Sequence, residues 1–427
     1  MADRKGGRKD TVDTHPAAGQ AAFRLSPVIL WLGLVSMATD ISSESVAAVL
    51  PLYITGFLGL STIAFGIIDG VNQGASAIVR IGAGWVSDRT GHPKRVAAAG
   101  YGLSMVARIG FLFAGGFWTL AAVVTGDRIG KGIRTAPRDA MISAEAQPEY
   151  LARSFGVHRM LDNIGAAAGP LIAFVLLLLI PNGFSSVFMV SLAFAVVGVA
   201  VLLLAVPGRT AAPPPRNGTP QGARAAEARP LRRLATWSAF RDRGLVRLFI
   251  AAGLLGLLTV GDGFIYLLLQ NREAFAVQWF PLLYVGTNIA FLAFAVPLGR
   301  LADRWGRVPV FLAGHAALLA CYVLAALPAA GTPATVGCLL LLGLFYAATD
   351  GVLAALVTQL AGPGSLGTAL GTAQTVVALS RMASAAAFGV LWYAAGPAAA
   401  ATCVALLLVP ALVCAAVLLR TRPGKAS

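Results

Sequence analysis

The residues able to do chemistry in this sequence are ionisable side chains placed inside otherwise apolar runs. Asp40 and Glu44 stand one helical turn apart with Ser42 and Ser43 between them, on a stretch that begins at Pro27. Asp127, Lys131, Arg134 and Arg138 recur at helical spacing, with Arg128 beside the first, and Asp127 four residues before Lys131 is the favourable order for an ion pair. Asp69, Arg80, Arg108, Asp262, Asp350 and Arg381 complete the set. A charge at bilayer depth is costly, so such groups face a bundle interior or a watery cavity, where they pair, bind a solute or carry a proton. Asp40 is about 20 Å along its helix, near mid-membrane, and reads as a protonatable cavity residue; a structural ion pair is the plainer alternative. For Asp262, Asp350 and Arg381, substrate binding and mutual pairing are equally open. No HExxH, GxSxG or phosphate-binding glycine loop occurs, which argues against an enzyme and against direct ATP coupling. The four cysteines, Cys321, Cys338, Cys403 and Cys414, have no CxxC or histidine partner and read as inert core thiols, so neither metal nor cofactor is expected.

The elements that position these residues must be membrane helices. The 427 residues are 57% hydrophobic and 12% charged, with mean hydropathy +0.77. That balance excludes a soluble enzyme and a single-span receptor and leaves room for about twelve spans. Apolar runs of suitable length cover 27–55, 61–86, 96–114, 117–133, 155–180 and 184–206, then 246–269, 279–298, 308–327, 335–360, 367–392 and 398–419. Six lie on each side of 207–244, a linker rich in Pro, Gly, Ala and Arg that carries at most a short interfacial helix near 231–240. The chain thus divides into a tail (1–25), a first half (26–206), the linker, a second half (245–420) and a second tail (421–427). Lys and Arg gather in alternate loops, at Arg89, Lys94 and Arg95, at Arg138 and Arg153, in the linker, and at Arg304 and Arg307, with Arg272 between the seventh and eighth spans as the exception. By the positive-inside rule those loops, the linker and both termini are cytoplasmic, in an inner membrane. The net charge of +15 therefore reports topology rather than nucleic-acid binding. Trp31, Trp118, Trp279 and Trp392, near span ends, read as interfacial anchors.

A loop is duplicated. Gly84, Asp88, Arg89 and Gly91 after the second span match Gly299, Asp303, Arg304 and Gly306 after the eighth, in the pattern GxxxDRxG, about half the chain apart. The first glycine would admit a neighbouring helix, the aspartate would pair near a helix end, and the second glycine would take the turn. With the stretches Thr39 to Glu44, Asp127 to Ala140 (DRIGKGIRTAPRDA) and Gly156 to Asn163, this resembles the major facilitator superfamily over nearly the whole chain.

The resemblance implies an all-α membrane protein of twelve transmembrane helices in two six-helix bundles, working as a secondary transporter by alternating access. Together with the duplicated loops, Arg134 and Arg138, which are expected to reach the cytoplasmic surface, and Asp139 read as an inner gate or as positioning of the loop against Asp88; Arg159 and Asp162, beside His158, read as gate chemistry or as structural pairing. Gly165, Gly169 and Pro170 are similar to the family's antiporter motif, found mainly in exporters, and suit close packing and a bend. Arg128 matches an arginine linked to proton transfer in the family, although Lys131 departs from the glutamine usual there. The leading expectation is proton-coupled export of a small organic or drug-like molecule by a monomer. The alternatives are proton-linked uptake of an anionic metabolite or metal chelate, and a non-transporting sensor on the same fold.

Overall fold

The computed structural model describes residues 25–147, 150–208, 242–328, 331–361 and 366–420; the side chains of Ile81, Asp88 and Ala152 lie outside the described set, as do the linker from 209 to 241 and the expected interfacial helix within it. Among the described residues the chain is helical throughout. The first half holds α1 (Pro27–Leu52), α2 (Thr62–Thr90), α3 (Pro93–Phe111), α4 (Phe117–Glu145), α5 (Leu151–Leu179) and α6 (Phe184–Leu204). The second holds α7 (Arg243–Gly256), α8 (Asp262–Glu273), α9 (Pro281–Trp305), α10 (Arg307–Ala326), α11 (Thr332–Leu360), α12 (Leu366–Ala395) and α13 (Pro397–Leu419). Local chemistry sets the ends: Ser26 and Ser61 accept from backbone N–H groups of the first turns of α1 and α2, and Asp242 does so for α7. Gly91 and Gly306, the second glycines of the duplicated loop, have φ +63° and +97° and turn the chain after α2 and α9.

Seven described helices, α5, α6 and α9 to α13, are by length and composition apolar enough to cross a membrane. The five remaining spans carry most of the charge that lowers their hydropathy, and one of them is broken. The expected seventh span, 246–269, is two short helices, because the chain leaves the helix between Gly256 and Asp262. The freed backbone groups are met internally: Val260 N–H donates to the Tyr322 hydroxyl (2.8 Å), which itself donates to the Leu258 carbonyl (2.9 Å). Irregular backbone at this depth is tolerated only where it is enclosed in this way.

The two halves pack alike. In the first, α1 contacts α5 and α6, α3 contacts α4 and α6, and α2 contacts α4. In the second, α7 contacts α12 and α13, α10 contacts α11 and α13, and α9 contacts α11, which is the same scheme displaced by six spans. The chain is therefore two like six-span bundles, as the duplicated loop implied.

The bundles meet along two seams, α2 with α12 and α5 with α9. A Cβ on Gly66 of α2 would lie 2.5 Å from the Ala385 carbonyl, and one on Gly389 of α12 would lie 2.5 Å from the Thr62 carbonyl. Phe65 packs edge to face on Phe264 at 4.6 Å, and the Phe174 ring lies tilted against Trp279 with centroids 5.4 Å apart. These contacts lie toward the end opposite the basic loops. Toward the basic end the seam has the hydrogen bond from Arg80 to Gln374 (3.3 Å), and Asp303, Arg304 and Trp305 are exposed.

Candidate functional site

Two groups of charged side chains occupy the interior, and they differ in how completely they are paired. In the first half, Asp127 of α4 accepts from Arg108 of α3 (2.9 Å) and from Arg128 (2.7 Å), and Arg108 also donates to Ser43 of α1 (3.1 Å). All three ionised residues are buried. Spacing alone had matched Asp127 with Lys131; the structure instead brings Arg108 across from α3, and no ion pair of Lys131 occurs among the described residues. Arg134 lies 3.8 Å from Asp40 and stacks 4.6 Å over the Tyr101 ring. Asp40 also faces Lys131, Asp162 and Glu44. Arg138 donates to Ser36 (2.8 Å), which donates to Asp162 (2.6 Å), and it also holds Asp139 (3.0 Å). Arg159 reaches Asp162 at 3.7 Å. Arg134 and Arg138, expected at the cytoplasmic surface, are 4% and 7% exposed: α4 runs on to Glu145, so these residues are inside the bundle rather than past its end. His158, fully buried beside this group, has neither ring nitrogen hydrogen-bonded.

The second group lies on the seam. Asp69 of α2 faces Asp262, the first residue of α8, and Arg381 of α12, with its Oδ2 against Gly261 and without a hydrogen bond. Asp262 accepts from the Tyr346 hydroxyl of α11 (2.5 Å), which in turn accepts from Arg381 (2.8 Å). Arg381 and Asp262 are thus joined through a tyrosine rather than paired directly. Asp350, one turn along α11 from Tyr346, is exposed, with no hydrogen bond or ion pair among the described residues. It lines two neighbouring cavities. One of about 320 Å³ also meets Gln73, His315, Gln374 and Arg381; the other, of about 220 Å³, lies between α8, α9 and α11. His315 donates through Nδ1 to the Phe311 carbonyl (2.9 Å).

The duplicated loop looks different. The side chain of Asp88 lies outside the described residues, Asp303 has no ion pair among them, and Arg89 stacks on Trp85 at 5.1 Å. A Cβ on Gly299 would meet nothing within 4 Å and one on Gly84 only Ala136 at 3.5 Å, so neither glycine serves a close helix approach here. Close approach falls instead on Gly165 and Gly169 of α5, whose Cβ positions would collide with the α1 backbone at Met37 and Ser45. Pro170 follows inside α5. Trp279 packs against Phe174 across the seam, and Trp392 against Phe264 within the second bundle. Tyr266, Tyr284, Tyr346 and His315 escaped the sequence reading. Their signal was weak, since tyrosines in apolar runs resemble interfacial belts.

Two like bundles around a charged cavity define a multi-pass membrane transporter, and the comparisons agree. The nucleoside transporter NupG superposes with TM-score 0.75 at 15% identity, covering 92% of this chain and all of that one. A bacterial homologue of the human lysosomal transporter Spinster, inward-facing and unoccupied, superposes with TM-score 0.67 at 16% identity, covering 92% and 96%. An uncharacterised MFS-type transporter of Methanocaldococcus jannaschii is 28% identical over 378 residues, 86% of this chain and 89% of the relative. The sequence profile of the Major Facilitator Superfamily matches residues 30–287 and 271–427. The chain belongs to the Major Facilitator Superfamily: it is a transporter of small-molecule substrates, not an enzyme.

Proposed function

We propose that this transporter is proton-coupled, lies in the cytoplasmic membrane with both termini inside, and exports a small organic molecule by alternating access. The alternating Lys and Arg loops support the orientation. The close α1–α5 packing at Gly165 and Gly169, with Pro170 behind it, supports export. One observation carries the coupling: Asp69 from the first bundle and Asp262 from the second face each other with a single arginine, Arg381, beside them. The seam between them must part when the bundles rock, so the charge balance of the two carboxylates changes with conformation. A proton or a cationic substrate supplies the charge that Arg381 alone does not.

Proteoliposomes with an acidic lumen, incubated in a mixture of small organic compounds and read by mass spectrometry, test this. At least one compound should accumulate with the gradient, and accumulation should vanish when the gradient is collapsed and in Asp69→Asn. Accumulation indifferent to the gradient would remove protons from the mechanism.

A further inference from the structure

The pocket of about 220 Å³ between α8, α9 and α11 has an unusual wall. Tyr266, Tyr284, Phe291 and Tyr346 supply aromatic rings, Asp262 and Asp350 supply two carboxylates, and no Lys or Arg lines it. Tyr266 and Tyr284 pack edge to face at 4.5 Å, and the Tyr266 hydroxyl donates to Thr287 (2.7 Å), which fixes that ring. Asp262 is engaged by Tyr346, whereas Asp350 has no partner among the described residues.

We propose that this pocket binds a small organic cation, through an alkylammonium group held against the tyrosine rings and the two aspartates. Ring faces attract a cation electrostatically, and most strongly where water is displaced. Asp350 lines the cavity without an ion pair among the described residues, so a cationic ligand is attracted to it, the more strongly as water is displaced, while an anion is repelled. A neutral molecule of the same shape fills the volume but leaves both charges unmatched.

The pocket also communicates with the seam. Tyr346, part of its wall, accepts from Arg381 and carries the Arg381 guanidinium 5.4 Å over its ring. A ligand cation entering there competes with Arg381 for the same ring and the same Asp262, and so bears on Asp69. This inference rests on the transport reading above and names its substrate class.

Binding is measured on the purified full chain in detergent, with no gradient, by isothermal titration of three probes of nearly equal shape: choline, neutral 3,3-dimethylbutan-1-ol and anionic 3,3-dimethylbutanoate. Choline should bind saturably, the neutral alcohol at least about tenfold more weakly, and the anion not at all. Asp350→Asn and Tyr284→Leu should each weaken choline about tenfold, whereas Tyr284→Phe, which keeps the ring, should stay within about threefold of wild type. Variants are compared only where their thermal unfolding matches wild type, and Tyr284→Phe holds the test open if Tyr284→Leu does not fold. Equal affinity for the alcohol, binding unaffected by Asp350→Asn, or no choline binding at 100-millimolar order overturns the proposal. Choline binding without gradient-driven uptake would leave this site standing and overturn proton coupling. Gradient-driven transport of uncharged compounds alone, with no choline binding, would do the reverse.

Discussion

Asp127→Asn should be among the most destabilising single changes in the first bundle. The carboxylate receives two charge-assisted hydrogen bonds, 2.9 Å from Arg108 and 2.7 Å from Arg128, with Arg108 only 2% exposed. Each such bond contributes about 1.5–3 kcal/mol, and removing the anion leaves two buried guanidinium groups facing each other without compensation. Both routes lead to about 3–5 kcal/mol. For a chain of this size that is a fall of roughly 3–6 °C in unfolding temperature. A thiol-reactive dye reports the transition because Cys321 and Cys338 are buried and react only on unfolding; Cys403 and Cys414 are first replaced by alanine to remove background. The double variant Asp127→Asn/Arg108→Gln should lose less than the sum of its parts, by about 1–3 kcal/mol, because the second change removes a charge that the first had stranded. An unfolding temperature within 1 °C of wild type for Asp127→Asn, or strict additivity, would refute the reasoning.

Three other outcomes are expected. Gly66→Val places a branched side chain where a Cβ already falls 2.5 Å from the Ala385 carbonyl, so it should part α2 from α12 and lower labelling of a cysteine at Gln374 from the basic side; unaltered labelling would mean that this contact does not hold the conformation. Asp40→Asn removes a 3.8 Å contact with Arg134, longer than either contact of Asp127, and should lower the unfolding temperature less than Asp127→Asn does, yet abolish gradient-driven transport; a wild-type rate would take Asp40 out of the coupling. Reporter fusions after Pro215 and at Ser427 should both report the cytoplasm, and a signal from the opposite side at either point overturns the topology.

Much of the fold was legible because bilayer thickness imposes a length on every span. The apolar run 184–206 became α6 (Phe184–Leu204), and the loop copies at Gly91 and Gly306 became turns of positive φ. What stayed hidden depends on neighbours distant in sequence. The partner of Asp127 is Arg108 on another helix, so helical spacing, which proposed Lys131, had no access to it. The seventh span looked continuous since hydropathy does not register backbone breaks, although Gly261-Asp262-Gly263 marks the place in retrospect. Ending the fourth span at 133 put Arg134 and Arg138 at the surface, because composition alone cannot show that a charged helix continues inside a bundle.

The two bundles carry charge to different ends. Asp40, Asp127, Asp139 and Asp162 in the first each have an arginine within 4 Å, on helices packed against one another, and Glu44 of the same cavity face has no ion pair among the described residues. Such pairs are best kept within one rigid body, since separating a buried ion pair costs several kcal/mol on every cycle. On the seam and in the second bundle, Asp69, Asp262 and Asp350 share Arg381 as their one cation among the described residues, and the break between α7 and α8 places Asp262 at a helix start where backbone and cavity meet. Paired charges hold a bundle together, whereas a deficit of cations at a boundary that must open is open to ligand and proton. The first bundle is therefore expected to rock as a unit, with the exchange of charge taking place at Asp40 of α1 and across α2, α8, α11 and α12.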